Sequence, residues 1–197
     1  MNRAADVAIA TAALTVATPV LALAALAVKL TSNGPALYRQ VRVGKDGDDF
    51  ELLKLRTMVV AAETQGAGFA IDRGDPRITP VGRVLRRLSL DELPQLWNVV
   101  RGDMSVIGPR PTLRYQVERY TPRQMRRLEV KPGITGWAQV HGRATLPWAE
   151  RIELDIWYVE HRSTALDLKI LALTPFALFG GTYKGTSGGW IDQQPRS

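Results

Sequence analysis

Two neighbouring carboxylates, Asp91 and Glu92, stand in the run Ser89-Leu-Asp-Glu-Leu-Pro-Gln-Leu-Trp-Asn98. A proline-flanked arginine, Arg110, closes the run Gly102-Asp-Met-Ser-Val-Ile-Gly-Pro-Arg-Pro111 that follows, and Arg83, Arg86 and Arg87 cluster just upstream. Carboxylates beside guanidiniums suit a site that holds a metal ion and a phosphate together. Consecutive helical residues do not face each other, so the two carboxylates can divide the work, one on a metal and one facing a substrate. The same run also reads as plain structure. Ser89 to Glu92 fits a capping box, with Glu92 reaching back to a backbone amide, although Pro94 disturbs any helix begun at Leu90. On either reading the pair lies near a helix N-terminus, which keeps carboxylates ionised and favours phosphate.

Pro109 and Pro111 fix their own φ, and Pro111 also restricts Arg110. The guanidinium is thus displayed from a stiff, non-helical backbone, an arrangement suited to bidentate phosphate binding. A proline-rich turn with a solvated arginine would look the same. Lys54, Arg56, Arg86 and Arg143 are further cationic candidates, although a lone basic residue is ordinarily a solvated surface group. Lys131-Pro-Gly-Ile-Thr-Gly136 and Gly142 mark tight turns that can set backbone amides against an anion. His141 reads as a hydrogen-bonded structural group, because no second histidine stands at ligand spacing. Asp155 and Tyr158 share a helix face, and Asp167 opens the last apolar segment; each can equally be a capping or surface residue.

The elements that must position these groups come from a chain of 197 residues, enough for one domain plus an attachment. The formal net charge of +7 suits a partner carrying phosphates: nucleic acid, anionic headgroups or a nucleotide. With no cysteine there is no disulfide framework, thiolate zinc site or cysteine nucleophile, and two histidines supply a Ser/His triad poorly. Leu37 to Val43 and Phe50 to Leu55 read as a hairpin, and Glu63 to Arg77, rich in glycine, as a mobile loop. Thr79-Pro80 opens a helix whose apolar stripe is Val81, Val84, Leu85 and Leu88. Helices follow over Gln95 to Val100, Leu113 to Glu129 with an interruption at Pro122, and Thr145 to Arg162. Leu166 to Phe179 is apolar but too short to span a bilayer, and suits a membrane surface or a core.

Val7 to Val28 carries no charge and approaches the roughly 20 residues needed to cross a bilayer core. Three readings stand open: a spanning helix, a signal peptide, and a helix that enters one leaflet, bends at Thr18-Pro19 and returns. Threonine can re-satisfy a carbonyl freed by proline. Arg3 and Lys29 flank the segment evenly, so the positive-inside rule does not orient it. Phosphate-handling residues on a membrane anchor suggest chemistry on a lipid-linked substrate.

Together these blocks resemble the bacterial sugar transferases, the small monotopic polyprenyl-phosphate phosphoglycosyltransferases, from about Arg3 to Thr174. The matching text is Gly34-Pro-Ala-Leu-Tyr-Arg-Gln40, Leu53-Lys-Leu-Arg-Thr-Met58 and Asp75-Pro-Arg-Ile-Thr-Pro-Val-Gly-Arg83. It continues through Ser89 to Asn98, Gly102 to Pro111, Lys131 to Gly136, Gln139, Gly142-Arg143, Asp155, Tyr158 and Asp167. The resemblance implies an α+β fold: a small helix-rich body with a short antiparallel β element, anchored by an N-terminal re-entrant membrane helix. Residues 1–30 would be the anchor, 31–180 the catalytic domain and 181–197 a loose tail. It implies transfer of a phosphosugar from a UDP-sugar to undecaprenyl phosphate with release of UMP, through a covalent aspartyl intermediate and with Mg²⁺. Asp91 would be the nucleophile and Glu92 a magnesium ligand, with Asp91 beside the metal. Arg86, Arg110, Arg143 and Lys54 would bind phosphate, and Asp155, Tyr158 and Asp167 would support the site. The body would face the cytoplasm from the inner membrane, among membrane lipids and without nucleic acid; a homodimer is compatible with it. The family's broken helix carries Ser-Pro where this chain has Thr18-Pro19, and its initial basic pair is reduced to Arg3. Two rival readings remain: a membrane-tethered nucleic-acid-binding or regulatory module, whose binding would be salt-sensitive and survive loss of Asp91, and a nucleotide-sugar hydrolase.

Overall fold

The computed structural model describes residues 1–64, 74–142 and 146–180. The expected tail, 181–197, lies outside them, as does Arg143. The apolar segment forms one helix, α1 (Arg3–Thr31), whose Asn2 side chain accepts the Ala5 N–H at 2.9 Å. It is the one described helix long and apolar enough to cross a membrane, with a mean hydropathy of 2.1 over its most apolar window. Where a break was expected, the helix runs through Thr18-Pro19. Pro19 removes the N–H that would reach Thr15, yet the Thr18 hydroxyl donates to Leu14 O at 2.8 Å, one carbonyl earlier. The anticipated repair of the freed carbonyl by that hydroxyl is therefore not made.

Both ends of α1 pack on the body. Near its start, Arg3 donates to Val99 O and Val100 O at 2.5 and 2.7 Å. Buried Asp6 accepts from the Ser105 hydroxyl and the Val106 amide, the latter at 2.9 Å. Near its end, Ala24 and Val28 join Leu55 and Leu85 in a second apolar cluster. Val16, Leu23 and Leu30, 80%, 70% and 77% exposed, point away from the protein. Helix α1 thus packs on the body at both ends.

The expected hairpin is present: β1 (Leu37–Val43) and β2 (Asp49–Leu55) pair antiparallel with Tyr38 opposite Lys54. The expected mobile loop is partly built. On its described flank, Asp75 and Arg77 are buried and paired at 2.6 Å, and Arg77 also donates to Ala62 O at 2.8 Å. Helix α2 (Pro80–Arg87) starts as expected, with Thr79 Oγ1 accepting the Gly82 N–H at 2.9 Å. Gly82 lies so close to the hairpin's exit that a Cβ there would sit 2.0 Å from Thr57 O. The apolar stripe of α2 divides: Leu85 is buried, whereas Val84 and Leu88 are exposed.

Helix α3 (Gln95–Arg101) packs beside α1 and β2. Asn98, fully buried, staples it to the edge of β2, accepting the Leu53 N–H at 3.0 Å and donating to Glu51 O at 2.6 Å. A parallel pair, β3 (Ser105–Ile107) with β4 (Gly133–Thr135), was not expected. Lys131 to Gly136, read as tight turns, supplies β4. A Cβ at Gly133 would sit 2.0 Å from Gly108 N, so the two backbones meet closer than any side chain allows. The segment between them breaks into short pieces, α4 (Arg114–Val117), α5 (Pro122–Met125) and a 3₁₀ turn at Arg126–Leu128.

Helices α6 (Trp137–Val140), α7 (Trp148–His161) and α8 (Thr164–Gly180) close the far side. Helix α7 starts after Pro147, not at Thr145, which lies outside the described residues. Val106, Ile107, Tyr158 and Ile170 share the main core with Ala10, Leu52 and Met104. The architecture is α+β, as expected, with a parallel pair added to the antiparallel element.

Candidate active site

Ser89 takes a left-handed conformation (φ 55°) and makes no side-chain cap, so the capping-box reading fails. The positive φ turns the chain sharply out of α2 into a 3₁₀ turn, Leu90–Glu92, immediately before α3. Glu92 reaches across to the Pro-Arg-Pro loop. Its two oxygens accept from Arg110, one of them at 3.3 Å, and Lys54 Nζ lies 3.6 Å from Oε1. The dyad, the clamp and the Lys54 strand therefore meet in one place.

Asp91 is 8% exposed and makes no hydrogen bond or ion pair with the described residues. Burial pushes its carboxyl above the ordinary range, Glu92 adds to that, and Lys54, Arg86 and Arg110 pull it back. Arg86 is oriented by its Nε–H, which donates to Thr57 Oγ1 at 2.7 Å. This contact depends on the close approach of Gly82 to Thr57.

Sequence reasoning missed Arg42, which lies on β1 with its side chain on the same face as Lys54. It donates to Gln40 Oε1 at 2.6 and 3.0 Å and to Pro111 O at 3.3 Å. Burial, then Arg110, lower it to about 10. The available signal was its place two residues after Gln40, at the end of a matching block. Arg42, Lys54, Arg86 and Arg110 thus outnumber Asp91 and Glu92, in a setting that loses solvent. Such a surplus suits an anionic ligand.

The other expected site residues separate. Asp155 is buried against Arg127, Nη2 to Oδ2 at 2.5 Å; burial pushes its carboxyl up and Arg127 pulls it down. Tyr158 donates instead to Asp167 at 2.8 Å, and the Met1 amino group lies 2.6 Å from the same carboxylate. That second group is in the core beside α1, not at the dyad. His141 donates its Nδ1–H to Trp137 O, 2.8 Å away, as a structural group. Arg56 also proves structural, donating to Ser32 O at 3.0 Å and to Asn33 O where α1 ends.

Lys54 makes a pH prediction. Burial, offset in part by Glu92, lowers it from 10.5 to about 8. Between those values the unfolded chain binds the proton and the folded one does not, so stability rises with pH across that window. Activity that uses the charged amine to hold phosphate falls as pH rises through about 8. Rate and melting profiles against pH should therefore move oppositely. In Lys54→Arg the alkaline fall in rate should shift upward; an unmoved fall would remove Lys54 from the chemistry.

Lys54, Arg86 and Arg110 stand around buried Asp91 and its neighbour Glu92, on an α+β body that carries one long apolar helix among the described residues. The bacterial sugar transferase model matches residues 1–181, and the chain belongs to that family. It is 49% identical over 147 residues to the uncharacterized sugar transferase EpsL of Bacillus subtilis, covering 75% of this chain and 71% of that protein. It is 46% identical to the Escherichia coli UDP-glucose:undecaprenyl-phosphate glucose-1-phosphate transferase, over 91% of this chain and 40% of that protein. It is 44% identical to the Aeromonas hydrophila UDP-N-acetylgalactosamine-undecaprenyl-phosphate N-acetylgalactosaminephosphotransferase, over 88% of this chain and 42% of that protein. The chain therefore spans less than half the length of these last two relatives.

Proposed function

We propose that the protein transfers a sugar 1-phosphate from a UDP-sugar to undecaprenyl phosphate, initiating assembly of a glycoconjugate. The observation that carries this reading is the Asp91 carboxylate, without a hydrogen-bond partner among the described residues, set among Lys54, Arg86 and Arg110, with Arg42 beside Lys54 and Arg110. An Asp91 oxygen attacks the sugar-bearing phosphorus. The bond from that phosphorus to the bridging oxygen breaks, and the electron pair leaves with UMP. An oxygen of undecaprenyl phosphate then attacks the same phosphorus and releases the Asp91 carboxylate. The cations mask charge that would otherwise repel the attacking carboxylate, and they position both phosphates.

Magnesium fits the donor set. Asp91 and Glu92 offer hard oxygen ligands, and no cluster of three or more acidic, histidine or cysteine groups exists among the described residues. One or two carboxylates plus substrate phosphates is the usual way this ion is held. Bound there, it would neutralise phosphate charge. Glu92 would exchange its Arg110 contact for the ion, leaving Arg110 to the substrate.

The helix α1 supports membrane association, with the body facing the cytoplasm where nucleotide sugars occur. The Escherichia coli and Aeromonas hydrophila relatives are named for different sugars, so the donor is open between hexose and N-acetylhexosamine. The test supplies purified protein with a panel of UDP-sugars, with and without undecaprenyl phosphate. UMP release coupled to a lipid-linked product is expected. Release of free sugar phosphate without lipid would replace transfer by hydrolysis.

A further inference from the structure

The Pro109-Arg110-Pro111 loop is held by its carbonyls. Two of its three residues have no N–H, so the carbonyl is the only hydrogen-bonding handle on the Arg110–Pro111 peptide. Pro109 O accepts from Gly133 N at 2.9 Å and Pro111 O from Arg42 at 3.3 Å. Arg110 O accepts from Arg127 Nη2 at 3.0 Å. Arg127 is itself fixed from two sides. It pairs with Asp155 at 2.5 Å, and its Nη1 donates to the Tyr120 hydroxyl, also at 2.5 Å. That hydroxyl lies 3.4 Å from Thr112 Oγ1, just beyond the loop.

We propose that Arg127, locked by Asp155 and Tyr120, is a positioning residue that sets the backbone of Arg110 and so aims its guanidinium at the substrate phosphate. The inference rests on the transfer reading given above. The prolines fix their own φ and Pro111 narrows Arg110 to extended backbone, and holding the Arg110 carbonyl sets the orientation of the peptide plane that remains. A buried ion pair is poor evidence for stability, since apolar residues of similar size often serve as well. The hydrogen bond to Arg110 O is something no apolar residue supplies. Arg127 and Asp155 are each about 3% exposed, too enclosed to meet substrate themselves.

Single removal of either charge strands the other in the core, so the decisive variant is Arg127→Met with Asp155→Leu, which removes both. The second is Tyr120→Phe, which frees Arg127 without stranding a charge. Each is made in the wild-type and the Arg110→Ala backgrounds. Melting, transfer rate against UDP-sugar concentration, and UDP affinity by calorimetry are measured. Both variants should melt as one transition. The paired variant should lose roughly 10- to 100-fold in kcat/KM, the scale of a small misplacement of a binding group, and Tyr120→Phe several-fold. Neither should lose anything further once Arg110 is alanine. Full additivity with Arg110→Ala, in rate and in UDP affinity, would overturn the proposal, as would unchanged kinetics in both variants. If the paired variant does not fold, the Tyr120→Phe result decides alone. Should wild type bind UDP yet make no lipid-linked product, the transfer reading falls, and the coupling in UDP affinity still tests the strut.

Discussion

Replacing Asp91 with asparagine is expected to abolish transfer, by on the order of 10⁴-fold or more, the scale on which removal of a covalent nucleophile acts. The amide matches the carboxylate in size but has no charge with which to attack phosphorus. The fold should not suffer. Asp91 makes no hydrogen bond with the described residues that the amide would lose, and burial beside Glu92 already works against its ionised form. The variant should therefore melt at the same temperature as wild type or slightly above it. Retained transfer would sink the aspartyl intermediate; a lower melting temperature would assign Asp91 a structural role. In the same assay Glu92→Gln should melt lower, since it loses its pairing with Arg110 and Lys54. It should also need more magnesium for half-maximal rate, and an unshifted magnesium curve would take Glu92 off the metal.

The second large effect is one of sidedness. Single cysteines at Asn2→Cys and Ser32→Cys, in a chain with no others, should both resist an impermeant thiol reagent in intact cells and both react after permeabilisation. A straight helix of this length covers about 40 Å, more than the roughly 30 Å hydrocarbon core. Spanning would carry Ser105 and Val106, which hold Asp6, across the bilayer from Leu55 and Leu85, which pack on Ala24 and Val28. Those residues belong to one packed body. Entry and return on one side keeps both docking points together and leaves Val16 and Leu23 to lipid. Labelling at position 2 in intact cells would reject this topology. Pro19→Ala, which restores the backbone N–H that proline lacks, should favour spanning and increase labelling there; no change would show that Pro19 does not set the topology.

What the sequence determined by itself is what short-range geometry controls. Asp91 and Glu92 are adjacent, so any fold keeps them together. Pro109 and Pro111 stiffen Arg110 whatever surrounds it. The hairpin's alternation and turn place Lys54 on a strand, and Thr79-Pro80 starts a helix through its own cap. The block pattern sufficed for the family. Tertiary structure decided the rest, because the deciding partners are far apart in the chain. The left-handed Ser89 cancelled a capping box that was well formed in text, and so sent Glu92 to Arg110. Asp155 and Tyr158, one turn apart on α7, went to different partners, Arg127 and Asp167. Asn98 closes the run that begins at Ser89 but serves β2, 45 residues away. Asp6, in the text a lone charge beside an apolar run, is satisfied by Ser105 and Val106. Arg42 and Arg127 gained their places only when the clamp's carbonyls needed donors. A buried polar group takes the partner that burial leaves it, and spacing along the chain does not reveal which surfaces will be buried together.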